Sequence, residues 1–181
     1  MASRRDELTE AAYRHVLEHG LTSLSLRPLA DAIGTSTGVL RFLFGSKDGL
    51  VDTLLGRVRD DERAVLASLD PRADLAETAV QLWLHLAAPR HRPALVLWLE
   101  CYGASLVDPG GPLAGAARDS VAAWLDVLAR AQPPRRRDTA AGAAERTAVL
   151  ALLRGCLIDL MATGDVSRTT RAVRDGLARL V

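Results

Sequence analysis

Two short apolar segments joined by a glycine-containing turn constrain the fold of this chain more than any other feature of its sequence. The first follows Ser25, which fits a helix N-cap, and stops at Gly34 after only two helical turns. The second runs over residues 37–44 and is followed by Gly45. Two helices of this length with a tight turn between them have the spacing of a helix-turn-helix, so we predict one over residues 25–44.

Helical spacing of apolar residues continues on both sides of this unit. The 30 Ala and 31 Leu outnumber the 23 Ile, Val, Phe, Tyr and Trp together, which favours helix over strand. We therefore predict an all-α fold of about nine helices, with an N-terminal three-helix helix-turn-helix domain. A change of composition at Asp70-Pro71 separates that domain, residues 2–62, from a C-terminal helical domain, residues 70–181. The other predicted helices cover residues 6–19, 47–69, 75–88, 91 or 93 to 107, 113–131, 139–162 and 167–180.

The charge of the chain limits how it could meet nucleic acid. The net charge is +1, from 23 basic and 22 acidic residues, and residues 1–59 hold eight basic and seven acidic groups. This balance excludes a protein that coats nucleic acid or membranes by bulk electrostatics. It does not exclude a site-specific reader, because the helix-turn-helix would place Arg27, Arg41 and Lys47 on one face. Lys47 is the single lysine beside 22 arginines.

The second helix of the predicted unit has residues suited to a DNA groove. The major groove is about 12 Å wide and accepts one helix, whose first residues meet the base edges. Here those residues are Thr37, Gly38 and Arg41. The glycine lets the backbone approach closely, and the guanidinium can donate to guanine O6 and N7 or to phosphate. Lys47 opens the next helix, where the helix dipole and free N–H groups already favour a phosphate.

Three runs between residues 4 and 55 follow one another in a specific order. They are E-A-A-Y-R-H-V-L-E-H-G, S-L-R-P-L-A-D-A-I-G-T-S-T-G-V-L and F-G-S-K-D-G-L. In this order they resemble the TetR family of transcriptional regulators. The resemblance implies that eight residues contact DNA: Arg27, Thr35, Ser36, Thr37, Gly38, Arg41, Phe42 and Lys47.

The recognition helix departs from the family pattern. Where the family usually has Leu-Tyr-x-His-Phe, this chain has Leu40-Arg41-Phe42-Leu43-Phe44, so Arg41 replaces a tyrosine that commonly contacts phosphate. This difference bears on which operator sequence is bound rather than on whether DNA is bound. From the residues alone, Arg27 could equally be a solvated side chain, and Phe42 a core residue.

In the family, the region beyond the helix-turn-helix is a variable helical domain that binds a small molecule and dimerises, so the resemblance implies the same for residues 70–181. Aromatic walls with a few polar groups are typical of small-molecule cavities. The residues alone leave open that these aromatic side chains only pack in the core. The candidate pocket residues are Trp83, Trp98, Cys101, Tyr102 and Trp124.

The last two predicted helices each carry an apolar face, and the resemblance implies that they form a four-helix interface with a second copy of the chain. The alternative is that both faces belong to a purely intramolecular core. The candidate interface residues are Leu150, Leu153, Leu157, Leu160, Val173 and Leu177.

Other patterns limit what else the chain could be. Cys101 and Cys156 lie far apart in apolar helical patterns, without metal-ligand spacing, and are expected to be buried reduced thiols. The basic N-terminus has no apolar stretch behind it, and no segment suits a membrane span, so we expect a cytoplasmic protein without membrane contact. No metal or cofactor is expected. The Pro-Arg run over residues 132–137 is expected to be an exposed linker.

Together these features predict a homodimeric transcriptional repressor that binds a pseudo-palindromic, double-stranded DNA operator and releases it when a small-molecule effector binds. Two-fold symmetry would place two recognition helices in major grooves roughly 34 Å apart. The helix that begins at Lys47 would carry the change from the ligand domain to the DNA. The alternatives are a dimeric scaffold for protein partners and a helical small-molecule-binding protein or enzyme without DNA binding. For an enzyme, no Ser-His-Asp order, metal cluster or phosphate loop stands out.

Overall fold

The computed structural model describes residues 3–181, and every regular element within that range is helical, as predicted. One 3₁₀ turn, Pro89–His91, precedes the sixth helix. Among the described residues, no helix combines the length and apolarity needed to cross a bilayer. The ten α-helices of this range are α1 (Arg4–His19), α2 (Leu26–Ala32), α3 (Thr37–Phe44), α4 (Lys47–Ala67), α5 (Leu75–Leu86), α6 (Arg92–Val107), α7 (Ala116–Arg130), α8 (Pro134–Arg137), α9 (Ala140–Thr163) and α10 (Val166–Leu180).

Local sequence signals set several helix boundaries. Ser3 and Asp6 form a reciprocal capping box at the start of α1, and Gly20 ends that helix with a φ of +82°. Asp74 and Glu77 form a second capping box at the start of α5. These contacts satisfy backbone N–H groups that a helix end leaves free, so residues close in sequence are enough to place both helix starts.

One compact unit, unit 1 below, contains the residues up to Glu62 together with Pro93–Ala117. Leu97 of α6 lies in the same buried cluster as side chains from α1 to α4, so α6 supports the helix-turn-helix directly. Each fully buried leucine contributes about 1.5–3 kcal/mol to the stability of such a core. The core residues exposed by 2% or less are Leu8, Ala12, Val16, Leu29, Ala30, Leu40, Leu50, Leu54 and Leu97.

The second compact unit, unit 2 below, contains Arg63–Arg92 and Arg118–Val181. Within it α9 packs along α10, and α5 packs against both. Trp83 on α5 is 1% exposed, and its indole N–H donates to the Thr170 hydroxyl on α10 at 2.9 Å. This bond satisfies a polar group that would otherwise be buried without a partner.

The two compact units are not continuous in sequence. Unit 1 includes residues 93–117, which the change of composition assigns to the C-terminal domain. Helices α4, α6 and α7 each have residues in both units, because the chain passes from one unit to the other within these helices. The functional domains over residues 2–62 and 70–181 are a different division and stay a prediction.

The expectation of an exposed linker over residues 132–137 holds for residues 133–136, which are exposed, but is wrong at both ends, where Gln132 is buried and Arg137 is half-buried. The short helix α8 forms there, and Gln132 is only 2% exposed. The Arg137 guanidinium donates to three backbone carbonyls at and just beyond the end of α7, at 2.8–3.2 Å. Gln132 in turn donates to the carbonyl of Gly142 in α9 at 3.0 Å. Side chains that the sequence pattern assigns to solvent therefore tie α7 to α9.

Candidate nucleic-acid interface

Buried apolar side chains and a short turn hold α2 and α3 together. Ala30 of α2 and both Leu40 and Phe44 of α3 are buried in the core of unit 1. In the turn, Gly34 has a φ of +69°, which favours glycine, and the Thr35 N–H donates to the Ala30 carbonyl at 2.9 Å. The predicted helix-turn-helix is therefore present, and its turn is fixed by backbone hydrogen bonding as well as by packing.

The ends of the recognition helix α3 are set by its own residues. The Ser36 hydroxyl accepts from the Val39 N–H at 3.2 Å, and Gly45 ends the helix with a φ of +76°. The helix spans the predicted residues 37–44 as a result. At the start of α2, Ser25 occupies the N-cap position but its side chain makes no cap hydrogen bond. Tertiary packing, rather than a side-chain cap, therefore holds the start of α2.

The eight predicted DNA contacts lie on α2, the turn, α3 and the start of α4, all in unit 1. Thr35 and Thr37 are half-buried, and the other six are exposed. Phe42 is 86% exposed, which excludes the core alternative, since Phe44 fills the core instead. Val39, three residues earlier, is also exposed, so the two side chains give α3 an apolar strip on its outer face. The six exposed residues are Arg27, Ser36, Gly38, Arg41, Phe42 and Lys47.

The cationic side chains of this surface are available to an anion. Within residues 3–181, the side chains of Arg27, Arg41 and Lys47 make no ion pair or hydrogen bond. Lys47 is the first residue of α4, where the Ser46 hydroxyl accepts from the Gly49 N–H at 3.1 Å. A helix N-terminus attracts an anion by its dipole, and Lys47 adds a full positive charge at the same place.

Gly49 belongs to this surface although the sequence analysis assigned it no role. A Cβ at this position would lie 2.1 Å from the carbonyl oxygen of Phe44, so only glycine lets the start of α4 pack this closely on the end of α3. The close approach fixes the direction of α4 relative to the recognition helix. A glycine inside a helix lowers helix stability by about 1 kcal/mol relative to alanine. A glycine near the start of a long helix was therefore the sequence signal that pointed to this close contact.

A polar cluster that the sequence analysis missed joins α1 to α4. The Tyr13 hydroxyl donates to the Asp61 carboxylate at 2.6 Å. Arg57 binds the same carboxylate and lies over the Tyr13 ring, 5.0 Å from its centre. Burial and then the Asp61 carboxylate raise the pKa of Tyr13, so the hydroxyl stays a neutral donor. Tyr13 and Asp61 are 48 residues apart, so no local spacing indicates the pair.

The five predicted pocket residues are divided between the two units. On α6 in unit 1, Trp98 and Tyr102 have ring centres 5.3 Å apart, and Cys101 is buried. Burial raises the pKa of the Cys101 thiol to about 11, so it stays protonated at neutral pH. Trp83 and Trp124 are buried in unit 2. Neither unit contains the whole set, and a common role in ligand binding stays a prediction.

The six predicted interface residues lie in the core of unit 2, so their assignment to a dimer interface is corrected. Each is at most 7% exposed in a single chain, where α5, α9 and α10 pack together. The opposite face of α9 leaves Ala151, Gly155 and Ile158 exposed, and Cys156, expected to be buried, is half-buried. Periodicity could not separate core from interface, because a helix presents the same kind of apolar face to either. The corrected residues are Leu150, Leu153, Leu157, Leu160, Val173 and Leu177.

The sequence of the chain also matches a known protein family. Residues 8–54 match the family model described as bacterial regulatory proteins, tetR family. This range includes the helix-turn-helix and all eight predicted contact residues. The HTH-type transcriptional regulator BetI of Burkholderia cenocepacia (strain HI2424) is 30% identical over 112 residues, which are 59% of this chain and 57% of that protein. The chain thus spans 57% of the length of this curated relative.

Solved structures resemble the chain over nearly its whole length. A transcriptional regulator from Rhodococcus sp. Rha1 has a TM-score of 0.80 at 17% identity, over 98% of this chain and 96% of that chain. The multidrug binding protein EbrR, solved in complex with proflavin, has a TM-score of 0.72 at 26% identity, over 99% and 100%. The likeness therefore extends from the helix-turn-helix to the helices that follow it.

Proposed function

We propose that this chain, which belongs to the TetR family of bacterial regulatory proteins, is a homodimeric repressor that releases a palindromic DNA operator when a small molecule binds. The observation that carries the proposal is the outer face of α3, where Arg41 and Phe42 are exposed while Leu40 and Phe44 hold the helix in the core. Its relative BetI is named a transcriptional regulator, which favours DNA binding over the enzyme alternative. Such a repressor acts in the cytoplasm, where its operator lies.

Each exposed residue of this surface has a chemical role on DNA. With α3 in the major groove, Thr37 and Gly38 lie nearest the bases, and Arg41 donates to guanine O6 and N7. Phe42 offers the apolar surface that meets the methyl group of thymine. Lys47, together with the exposed Arg27, neutralises phosphates and fixes the register of the protein on the duplex. The half-buried Thr35 and the capping residue Ser36 complete the edge of this surface.

A second copy of the chain supplies the second recognition helix. The exposed face of α9 suits this contact, because Ala151 and Gly155 are small and allow close approach, and Ile158 is 49% exposed. Two α9 helices and two α10 helices would then form the interface, with these residues at the contact instead of the buried leucines. Ile158→Asp should therefore convert the dimer to a monomer without unfolding either chain.

The effector proposal draws on the EbrR complex, since that protein of similar fold was solved with proflavin. We infer that this chain also binds a small molecule, and each unit offers candidate lining residues: Trp98, Cys101 and Tyr102 in unit 1, and Trp83 and Trp124 in unit 2. Helix α4 runs unbroken from Lys47 to Ala67 and has residues in both compact units, so it is the proposed route from effector to operator. Proflavin is the first probe: its fluorescence should change when it is titrated with the protein alone, without DNA.

Selection from random DNA tests the proposed function most directly. The wild-type protein should enrich a palindrome whose half-site centres lie about 10 base pairs, or a multiple of that, apart. Arg41→Ala should relax base preference at one position of each half-site, by about 1–3 kcal/mol per contact. Arg72→Ala removes an exposed arginine of unit 2 and serves as the charge-matched control. No enriched sequence, or unchanged preference in Arg41→Ala, would contradict the proposal.

Sedimentation separates the remaining alternatives. A dimer that shifts to a heavier complex with the selected fragment is the result expected for the repressor. A dimer that binds none of the DNA fragments would indicate a scaffold for protein partners. A chain that binds proflavin but no DNA would indicate the small-molecule-binding protein.

A further inference from the structure

A carboxylate on α6 binds the linker between the first two helices of unit 1. Glu100 accepts from the backbone N–H of Leu21 at 2.8 Å and from that of Thr22 at 2.5 Å. The Thr22 hydroxyl donates to the same carboxylate. One side chain thus holds three donors from a segment almost eighty residues earlier in the chain.

The linker is shaped around this carboxylate. Gly20 has a φ of +82°, and a Cβ there would lie 3.4 Å from a Glu100 oxygen, so the backbone approaches the carboxylate closely. Leu21 and Leu24 are buried in the core of unit 1, and the Leu24 N–H donates to the Leu21 carbonyl at 3.0 Å. Helix α2 begins directly after this linker, at Leu26. The position of the linker therefore sets where the helix-turn-helix begins.

The carboxylate is charged at neutral pH. Burial raises the pKa of Glu100, but the hydrogen bonds from Leu21 and Thr22 lower it by more, so the pKa falls below its usual range. Hydrogen bonds to an ionised acceptor are roughly twice as strong as neutral ones. The contact is thus a strong one for a partly exposed site.

Beside this contact, α1 and α6 share a buried core but leave a groove at the surface. A surface cleft of about 530 Å³ lies between the end of α1 and α6, lined by residues 16–20 on one side and by Val96, Leu97, Leu99 and Glu100 on the other. Apolar packing therefore does not fill this space. The Glu100 contact spans the gap and fixes the distance between α6 and the linker.

We propose that Glu100 is a positioning residue for operator binding, and that release of the α1–α2 linker from its carboxylate lowers DNA affinity. The inference rests on the proposed function. Helix α6 begins at Arg92, whose guanidinium donates to the Met161 carbonyl of α9 at 2.9 Å within unit 2. The same helix holds the linker eight residues later, in unit 1. A shift of α6 along or around its axis therefore moves the carboxylate away from its three donors.

Glu100→Gln tests the proposal with little change of shape. The amide keeps one acceptor oxygen but turns an N–H₂ group towards the linker donors. Affinity for the fragment selected by the wild-type protein should fall at least about tenfold. Amide hydrogen exchange at Leu21 and Thr22 should become faster in the same variant. Glu18→Gln is the matched control, because Glu18 is exposed, lines the same cleft and should change neither quantity.

A second pair of variants separates positioning from general stability. Thr22→Ser keeps the hydroxyl donor and should bind DNA like the wild type, whereas Thr22→Val loses that donor and should fall between wild type and Glu100→Gln. If circular dichroism shows that Glu100→Gln does not fold, the DNA affinities of the two Thr22 variants test the proposal instead. Faster exchange with unchanged DNA affinity would overturn the proposal, as would equal affinity of the two Thr22 variants. If the wild type selects no DNA, the proposed function fails instead, and the exchange rates still report whether Glu100 holds the linker.

Discussion

Lys47→Gln should weaken DNA binding on every sequence and reduce its dependence on salt. Lys47 is exposed at the start of α4, and among residues 3–181 its ammonium group has no ion-pair partner, so its charge is available to a phosphate. Each phosphate contact contributes about 0.9 to the slope of log affinity against log salt. With Arg27, a dimer presents four such contacts and a slope of about −4, since Arg41 is assigned to guanine. The variant loses one contact in each protomer, so the slope should become shallower by about 2.

Fluorescence anisotropy measures both quantities, with the selected operator and an unrelated fragment at about 50–200 mM salt. Both affinities should fall by the same factor, because a phosphate contact carries no sequence information. Arg72→Gln removes one positive charge from an exposed position in unit 2 and should leave the slope unchanged. An unchanged slope for Lys47→Gln, or a loss confined to the operator, would refute the assignment of Lys47 to phosphate.

Three further predictions concern stability. Leu153→Ala should lower the free energy of unfolding in urea by about 2–5 kcal/mol at any protein concentration, because Leu153 is 1% exposed within one chain. A loss of stability that depends on protein concentration would instead place Leu153 in an interface. Tyr13→Phe removes the 2.6 Å bond to Asp61 and should cost about 1.5–3 kcal/mol in the same assay, and an unchanged urea midpoint would show that the bond adds no stability. Because the pKa of Glu100 is lowered from 4.5 in the folded protein, its stabilisation is complete above pH 4.5 and is lost as the pH falls through the native value. The urea midpoint of the wild type should therefore fall towards that of Glu100→Gln on acidification, and parallel midpoints across this range would contradict it.

The local sequence determined the helix-turn-helix of this protein. The cap at Ser36 and the stop at Gly45 act on backbone groups within a few residues, so the bounds of α3 follow from the sequence alone. The same is true of the exposed Arg41 in that helix and of Lys47 at the start of α4, because helical spacing fixes which side chains share a face.

Tertiary structure decided what each face meets. Helical periodicity indicates that the helix face with Leu153 is buried. A core and a dimer interface require the same apolar pattern, so only the packing within one chain assigned Leu153 to the core. Phe42 and Phe44 are equally apolar in sequence, yet the second fills the core and the first is exposed. The carboxylate of Glu100 finds its donors 78 and 79 residues away, where no local spacing could indicate them. Helix caps and turns depend on residues that are neighbours in sequence, so the sequence predicts them. Long-range contacts depend on how folding brings distant helices together, so only the tertiary structure shows them.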